Sequence, residues 1–266
     1  HLVLRRQRQM CIRDRFVLII FLPVVMKDGL ISLKVVDKKL QFLRAIVGSG
    51  AMCCMFYGIS ITELSKATAL MFTVPIFSTI LAILFLKEQV GIRRWTAMVV
   101  GFIGAIIVIR PDIQLGLGPL LILCGSFIWS MSLLIAKKLT TTESNASMTF
   151  WQAAGLIPAT FIVAIPFWST PNLEQLFLYL LVAITGTMTH YCLNAALAKA
   201  DISSLLPLDY LRLIWSVSLG FIFFNEVPLI TIWIGSAIII LSTSYIAYRQ
   251  LKKSKQPLTN QLNPNL

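Results

Sequence analysis

SSLLPLDYLRLIWSVSLGFIFFNEVPLITIW, residues 203–233, repeats an earlier stretch of the same chain, SKATALMFTVPIFSTILAILFLKEQVGIRRW, residues 65–95. A shift of 138 residues (203 − 65) aligns the two without a gap, and nine of the 31 pairs are identical. The identical pairs include Glu88 with Glu226 and a pair of tryptophans, which a shared apolar bias does not explain. The chain therefore contains an internal repeat, and the fold has to accommodate two related halves.

The composition is that of a membrane protein. Hydrophobic residues make up 57% of the chain, charged residues only 13%, and the mean hydropathy is +0.82, whereas ordinary domains are about 25% charged. Apolar runs of spanning length recur along the sequence, so we predict an all-α integral membrane fold. The predicted spans are Leu40–Ile61, Ala67–Leu86, Trp95–Ile109, Pro119–Ala136, Met148–Trp168, Leu176–Ala198, Ser203–Phe224 and Leu229–Tyr248, after a shorter apolar piece at Phe16–Met26.

The net charge of +12 comes from basic residues in short loops between apolar runs. That placement indicates membrane topology and not a nucleic-acid surface. The positive-inside rule then puts the rich loops and the C-terminus in the cytoplasm of a multi-pass protein. The rich loops hold Lys27, Lys34, Lys38 and Lys39, then Lys87, Arg93 and Arg94, then Lys137 and Lys138, then Lys199.

The two copies of the repeat lie five predicted spans apart, an odd number, so they are expected to run in opposite directions. Their charges agree, because Lys87, Arg93 and Arg94 of the first copy become Asn225, Thr231 and Ile232 in the second. Inverted-topology repeats are typical of secondary transporters, whose substrate site lies near the midplane between the halves.

Two segments carry a family resemblance. Ser65–Pro111, and Ala200–Tyr248 with its PLDYLRLIW and FFNEVP strings, resemble the two repeats of the EamA family in the drug/metabolite transporter superfamily. The resemblance implies a ten-helix carrier of two inverted five-helix halves (5+5) in a bacterial inner membrane. The first helix is missing here, so about nine spans are present, with repeats over residues 16–113 and 114–248 and a disordered cytoplasmic tail over 249–266.

Residues 1–15, HLVLRRQRQMCIRDR, do not fit this scheme. They carry five arginines and no spanning pattern. The string resembles translated sequencing-adapter read-through, so we interpret it as a foreign leader and expect a native first helix in its place.

Asp209 and Arg212 are the most unusual residues of the predicted spans, since each charge alone would cost at least ~2.5–3.5 kcal/mol in hydrocarbon. Three residues apart, they lie on one side of a helix and can pair. Their counterparts in the first copy are Met71 and Val74, so the charges break the repeat's symmetry. A structural ion pair and a substrate- or proton-facing role are both open.

Other polar residues converge at similar depth. His190, roughly 12 Å from the cytoplasmic end of its span, is predicted to face the cavity, and Asn194 lies one turn away on the same face. Trp129, Tyr210 and Thr73 are further substrate-binding candidates, each with packing as the alternative. Pro75, near Thr73, can kink its helix and free a carbonyl. Glu88 and Glu226 are interpreted as residues that fix helix ends and loops.

The leading functional hypothesis is a secondary carrier for a small amino-acid, nucleoside-like or drug-like metabolite, working by alternating access. No Walker-type phosphate loop is present in the sequence, and His190 is the only histidine besides His1, so neither ATP hydrolysis nor a multi-histidine metal site is expected. No cofactor is predicted. An enzyme acting on lipid would need clustered acid, base or metal ligands, which the loops lack. A non-transporting membrane subunit or a lipid-linked flippase component is the alternative; proton coupling and a homodimer are open.

Overall fold

A computed structural model describes residues 16, 20, 21, 33–62, 64–109, 116–164, 172–224, 230, 233–235, 237–241, 244 and 245. Over these residues all regular structure is helical. The elements are α1 (Lys38–Ser60), α2 (Leu64–Met71), α3 (Val74–Leu86), α4 (Ile92–Ile109), α5 (Leu117–Leu139), α6 (Asn145–Ala164), α7 (Leu173–Lys199), α8 (Ile202–Leu205), a 3₁₀ helix (Leu206–Tyr210) and α9 (Leu211–Phe224).

Four stretches of the described chain are long and apolar enough to cross a membrane: Lys38–Ser60, Ala67–Leu86, Leu117–Leu139 and Leu173–Lys199. The prediction of an all-α, multi-pass membrane protein is confirmed. The predicted span Trp95–Ile109 begins three residues earlier, at Ile92. Residues 1–15, most of the Phe16–Met26 piece, nine residues of the last predicted span (Leu229–Tyr248) and the 249–266 tail lie outside the described residues.

Two predicted spans are interrupted helices. Ala67–Leu86 is broken between the end of α2 at Met71 and the start of α3 at Val74, just before Pro75. Ser203–Phe224 is divided by the 3₁₀ helix, which contains Pro207. Proline lacks the amide donor of a helix interior and its ring clashes with the preceding turn. The sequence predicted a possible kink at Pro75, where the structure has a full break, and predicted no interruption at Pro207.

The principal helix contact joins α1 to α5 through glycines. A Cβ on Gly58 would lie 2.6 Å from Cγ1 of Ile122, and one on Gly125 would lie 2.6 Å from Cγ of Met55. Neither distance leaves room for a side chain, so the backbones approach as closely as small residues permit. The opposite flank of α1 meets α6, where Ala45 lies against Gly155.

Two glutamates hold helix starts at one end of the bundle. The carboxylate of Glu143 accepts hydrogen bonds from the backbone amides of Val36 and Asp37 at 2.7 and 2.9 Å, just before α1. That of Glu88 accepts from the amide of Ile202 at 2.9 Å and from the amide and hydroxyl of Ser203 at 3.2 and 2.8 Å. An anion stabilises the free amides of a helix N-terminus. The loop-fixing interpretation of Glu88 is confirmed; Glu226 lies outside the described residues.

Two basic side chains join further helix ends there. The ammonium of Lys137 donates to the carbonyls of Leu197 and Ala200 at 2.6 and 2.8 Å, which covers the C-terminus of α7. Arg94, in α4, pairs with Asp201 at 3.3 Å. The start of α1, the ends of α3, α5 and α7 and the start of α8 thus share one end of the bundle. It is called the lysine-rich end below.

Candidate functional site

The two helix interruptions meet in the interior of the bundle through Phe72 and Tyr210, both fully buried. Their ring centroids lie 5.5 Å apart, and the Tyr210 hydroxyl donates to the Phe72 carbonyl at 3.3 Å. The two residues are 138 positions apart, which is the offset of the repeat. Each is therefore the other's counterpart, and each interruption supplies one partner of the contact.

Asp209 and Arg212 lie beside this contact and form an ion pair, with a carboxylate oxygen 3.3 Å from a guanidinium nitrogen. Both side chains are partly open, 40% exposed for Asp209 and 44% for Arg212. The Arg212 guanidinium also lies over the Phe72 ring, 4.6 Å from its centroid, a cation–π geometry. The pair is thus fixed on one side by packing and accessible on the other.

Tyr210 and Thr73 are engaged in local structure. Tyr210 is fully buried in a cluster with Phe72, Leu213 and Ile239. The Thr73 hydroxyl donates to the Leu70 carbonyl at 2.6 Å, which satisfies one of the groups exposed by the interruption before α3. Both side chains therefore have structural contacts, as the packing alternative predicted. Contact of either side chain with a substrate stays a prediction.

Trp129 and His190 form a second aromatic contact, between α5 and α7. Their ring centroids are 6.1 Å apart and the planes are inclined at 62°. Both side chains are half-buried. The sequence predicted that both residues lie at mid-depth, but it did not predict that they touch. Neither the repeat offset nor helical spacing pairs them.

Asn194 belongs to a buried polar group that the sequence analysis missed, here called the Arg44 cluster (Arg44, Thr149, Gln152 and Asn194). The Arg44 guanidinium, 3% exposed, donates to the side-chain carbonyls of Gln152 and Asn194, the latter at 2.9 Å. It also donates to the Met148 backbone carbonyl at 3.4 Å. The Asn194 amide nitrogen donates in turn to Thr149 at 3.0 Å.

The Arg44 cluster holds a cation on neutral oxygens. Among the described residues no carboxylate pairs with Arg44, and its Nε has no hydrogen-bond partner. A buried charge is costly unless it is paired or well hydrogen-bonded. Arg44 belongs to the predicted first repeat and its partners to the second, so the cluster also links the two halves about 9 Å below the start of α1.

A signal for Arg44 was present in the sequence. It is a charged residue four positions inside the predicted span Leu40–Ile61, and the same criterion singled out Asp209. Its partners could not be deduced, because Met148, Gln152 and Asn194 lie 104, 108 and 150 residues away.

A family comparison matches residues 10–110 and 116–248 to the EamA-like transporter family. Those two matches cover most of the chain. The chain belongs to the EamA-like transporter family. The sequence-based assignment to this family of the drug/metabolite transporter superfamily is confirmed, and with it the assignment to transporters and not to enzymes.

Several relatives of this EamA-family chain carry functional names. A riboflavin transporter of Vibrio cholerae is 35% identical over 193 residues, which covers 72% of this chain and 65% of that protein. An S-adenosylmethionine uptake transporter of Rickettsia bellii is 32% identical over 240 residues, covering 88% and 81%. The chain thus spans slightly less than two thirds of the first relative and four fifths of the second.

A solved crystal structure shares the fold of this EamA-family chain. It superposes with a TM-score of 0.75 over 92% of this chain and 88% of the other, at 14% sequence identity. At that identity the likeness concerns the architecture alone.

Proposed function

We propose that this EamA-family protein is a secondary carrier that moves a small metabolite across the bacterial inner membrane. Two inverted five-helix halves, ten helices in the whole protein, expose a central site to each side in turn. The C-terminus lies in the cytoplasm, on the side of the lysine-rich end. The observation that carries the proposal is the meeting of two interrupted helices at counterpart residues, Phe72 and Tyr210.

A residue can touch its own counterpart only close to the axis that relates the two halves. Phe72 and Tyr210 therefore support a pseudo-twofold axis at the centre of the bundle. Interrupted helices in matching positions of two repeats are the feature that marks the substrate site in transporters with inverted repeats. The freed backbone groups need partners there, and a polar substrate can supply them.

The predicted site residues favour a substrate with both charge and a planar ring. Asp209 and Arg212 offer opposite charges that are partly accessible. Trp129 and His190 offer aromatic faces and edges, against which a heterocycle can stack. Asn194, Tyr210 and Thr73 stay predicted secondary contacts, although all three side chains make hydrogen bonds within the protein in this conformation. Nucleoside-like and amino-acid-like solutes combine these features, and S-adenosylmethionine and riboflavin, named for the relatives, both contain a fused heterocycle.

Hydrogen bonds between the halves close the lysine-rich end in this conformation. Glu143 binds the segment before α1, Glu88 binds the start of α8, and the Arg44 cluster lies one to two turns inside. We infer that these contacts form and break during alternating access. A substrate would reach the centre from the opposite side while they are intact.

An uptake screen tests the proposal. Cells that produce the complete protein are supplied with labelled riboflavin, S-adenosylmethionine, amino acids and nucleosides, and accumulation is compared with cells that carry the empty vector. Accumulation of at least one solute above that control is expected. If no solute accumulates although the protein is inserted in the membrane, the carrier proposal fails, and a non-transporting subunit or a flippase component becomes the better reading.

A further inference from the structure

A cavity of about 660 Å³ lies between the beginning of α1 and α6, near the lysine-rich end. Lys34 and Lys38 stand on its wall together with Trp151, and Phe42, Ala45 and Gly155 form apolar parts of the lining. None of the residues assigned to the central site lines it. It is therefore a separate site that the transport proposal does not use.

Gln41 lines this cavity and carries a buried amide just behind its wall. Its side chain is only 5% exposed, it lines the cavity, and neither its amide nitrogen nor its amide oxygen has a hydrogen-bond partner. Buried polar groups are nearly always hydrogen-bonded, and an amide left without partners is unfavourable. A ligand that carries both an acceptor and a donor, or several oxygens, would satisfy the Gln41 amide once a rotation of the side chain brings it to the cavity surface.

The charged side chains on the cavity wall, Lys34 and Lys38, are both positive. Neither Lys34 nor Lys38 makes an ion pair among the described residues. The two neighbouring carboxylates are occupied elsewhere, because Glu143 accepts from backbone amides before α1 and Asp37 accepts from the Leu40 amide at 2.9 Å. Neither carboxylate lines the cavity. An anion inside the cavity would therefore contact the two ammonium groups and neither carboxylate.

The order of groups along α1 matches the order of groups along a phospholipid. From the start of the helix inward come Lys38, Gln41 about 4.5 Å deeper and Ala45 about 10 Å deeper. A phosphate, glycerol ester oxygens and an acyl chain follow the same sequence of polarity. Phe42 on the wall is 68% exposed, so the cavity opens to the outside of the bundle and acyl chains can leave.

We propose that this cavity binds an anionic phospholipid, with the phosphate between Lys34 and Lys38 and the ester region at Gln41. Basic pockets between helices at the cytoplasmic surface are suited to anionic headgroups. Trp151 lies at the level where tryptophan anchors helices in the interface, with its indole nitrogen donating to the Leu33 carbonyl at 2.8 Å. The cavity holds the headgroup and the adjoining part of one chain.

Lipid titration of the purified full chain tests the site. The shift in thermal unfolding midpoint is measured with dioleoylphosphatidylglycerol, with dioleoylphosphatidylcholine and with soluble glycerol 3-phosphate. The anionic lipid is expected to stabilise the protein at the lowest concentration. Each lysine is expected to contribute about fivefold in affinity, so Lys34→Gln combined with Lys38→Gln should weaken binding roughly 25-fold.

Lys39→Gln is the matched control, because Lys39 is an exposed neighbour that does not line the cavity. It is expected to bind the anionic lipid with less than a twofold change. Gln41→Met keeps the size of the side chain and removes the amide, so it should weaken phosphatidylglycerol binding without lowering the lipid-free midpoint. Equal binding by the double lysine variant, equal stabilisation by phosphatidylcholine, or stabilisation by glycerol 3-phosphate in preference to the lipid would each overturn the proposal.

Discussion

At the scale of single residues, Arg44 is a buried charge that depends on neutral hydrogen-bond acceptors for its stabilisation. Its guanidinium is buried in a helix that is long and apolar enough to span the membrane, yet it rests on amide and backbone oxygens and not on a carboxylate. Such an arrangement keeps a net positive charge inside the bundle. Because its partners come from the predicted second repeat, the hydrogen bonds of Arg44 also hold the two halves together.

Arg44→Gln removes the charge and leaves Gln152 and Asn194 without their donor. An unsatisfied buried group costs about 1–3 kcal/mol, so we expect a lower unfolding midpoint and at least tenfold slower uptake. Arg44→Lys keeps the charge but cannot donate to several acceptors in the fixed geometry of a guanidinium. Its unfolding midpoint and uptake rate should lie between those of the wild type and of Arg44→Gln. Thermal unfolding in detergent and initial uptake rates measure both. Lys138→Gln, at an exposed position, serves as the control; wild-type uptake by Arg44→Gln would contradict the role given to the cluster.

Asp209→Asn breaks the ion pair with Arg212 and removes a partly accessible negative charge. We expect uptake to fall at least tenfold while the protein still inserts and folds, since the side chain is 40% exposed. A charge exchange, Asp209→Arg with Arg212→Asp, separates the two interpretations of the pair. A purely structural pair would regain activity in the exchanged variant. A pair that binds substrate would not, and that is the expected result.

At the scale of elements, two features shape the bundle: close contacts between helices and the interruption of two helices at prolines. Glycines let α1 approach α5, and Pro75 and Pro207 lie at the two interruptions, close to the contact between Phe72 and Tyr210. Continuous helices would present only satisfied backbone to the centre. The interruptions instead place free carbonyls and amides where polar side chains such as Thr73 can reach them.

Gly58→Ala tests the contact between α1 and α5. The added methyl would lie 2.6 Å from Ile122, and overpacking of this kind costs about 1–3 kcal/mol. The unfolding midpoint should drop measurably. Gly50→Ala is the matched control in the same helix, because a Cβ there meets nothing within 4 Å. That variant should be as stable as the wild type or slightly more so, and an equal loss in both variants would contradict the packing account.

The sequence allowed the helices to be predicted because spanning runs are long and apolar, and the repeat because identical pairs recur at one offset. It indicated a possible kink near Thr73 because Pro75 follows, but not a full break, since a proline in a membrane helix can either bend or break it depending on its neighbours. It identified Asp209, Arg212 and Asn194 from polarity and depth. It missed Gln152 and Thr149, because an amide or hydroxyl in an apolar run gives no sign of which distant helix it will meet.

At the scale of the whole molecule, several of the hydrogen bonds and ion pairs that join the two predicted halves lie at the lysine-rich end, while the close packing of α1 against α5 continues away from it to Gly58. Glu88, Arg94 and Glu143 each reach across the repeat boundary there. For a carrier, one closed end implies a second conformation in which these bonds are broken. The free-energy difference between the two conformations has to be small enough for substrate binding to shift the equilibrium between them.

Cross-linking the lysine-rich end should stop transport. Arg94→Cys combined with Asp201→Cys, in a background without the native cysteines, places two thiols where the ion pair now stands. A short cleavable bifunctional reagent is expected to abolish uptake, and reduction is expected to restore it, because the end can then open again. Each single cysteine variant with the same reagent is the control. Undiminished flux in the cross-linked protein would show that this end does not open during transport.

Counterflow in proteoliposomes tests the central claim most directly. Vesicles that contain the complete protein are preloaded with unlabelled substrate from the uptake screen, and entry of the labelled solute is followed at a low outside concentration. A carrier with a site open to one side at a time should take up label transiently above the equilibrium level, several-fold faster than in vesicles without internal substrate. Uptake that is the same with and without internal substrate, or absent in both, would contradict alternating access by these two halves.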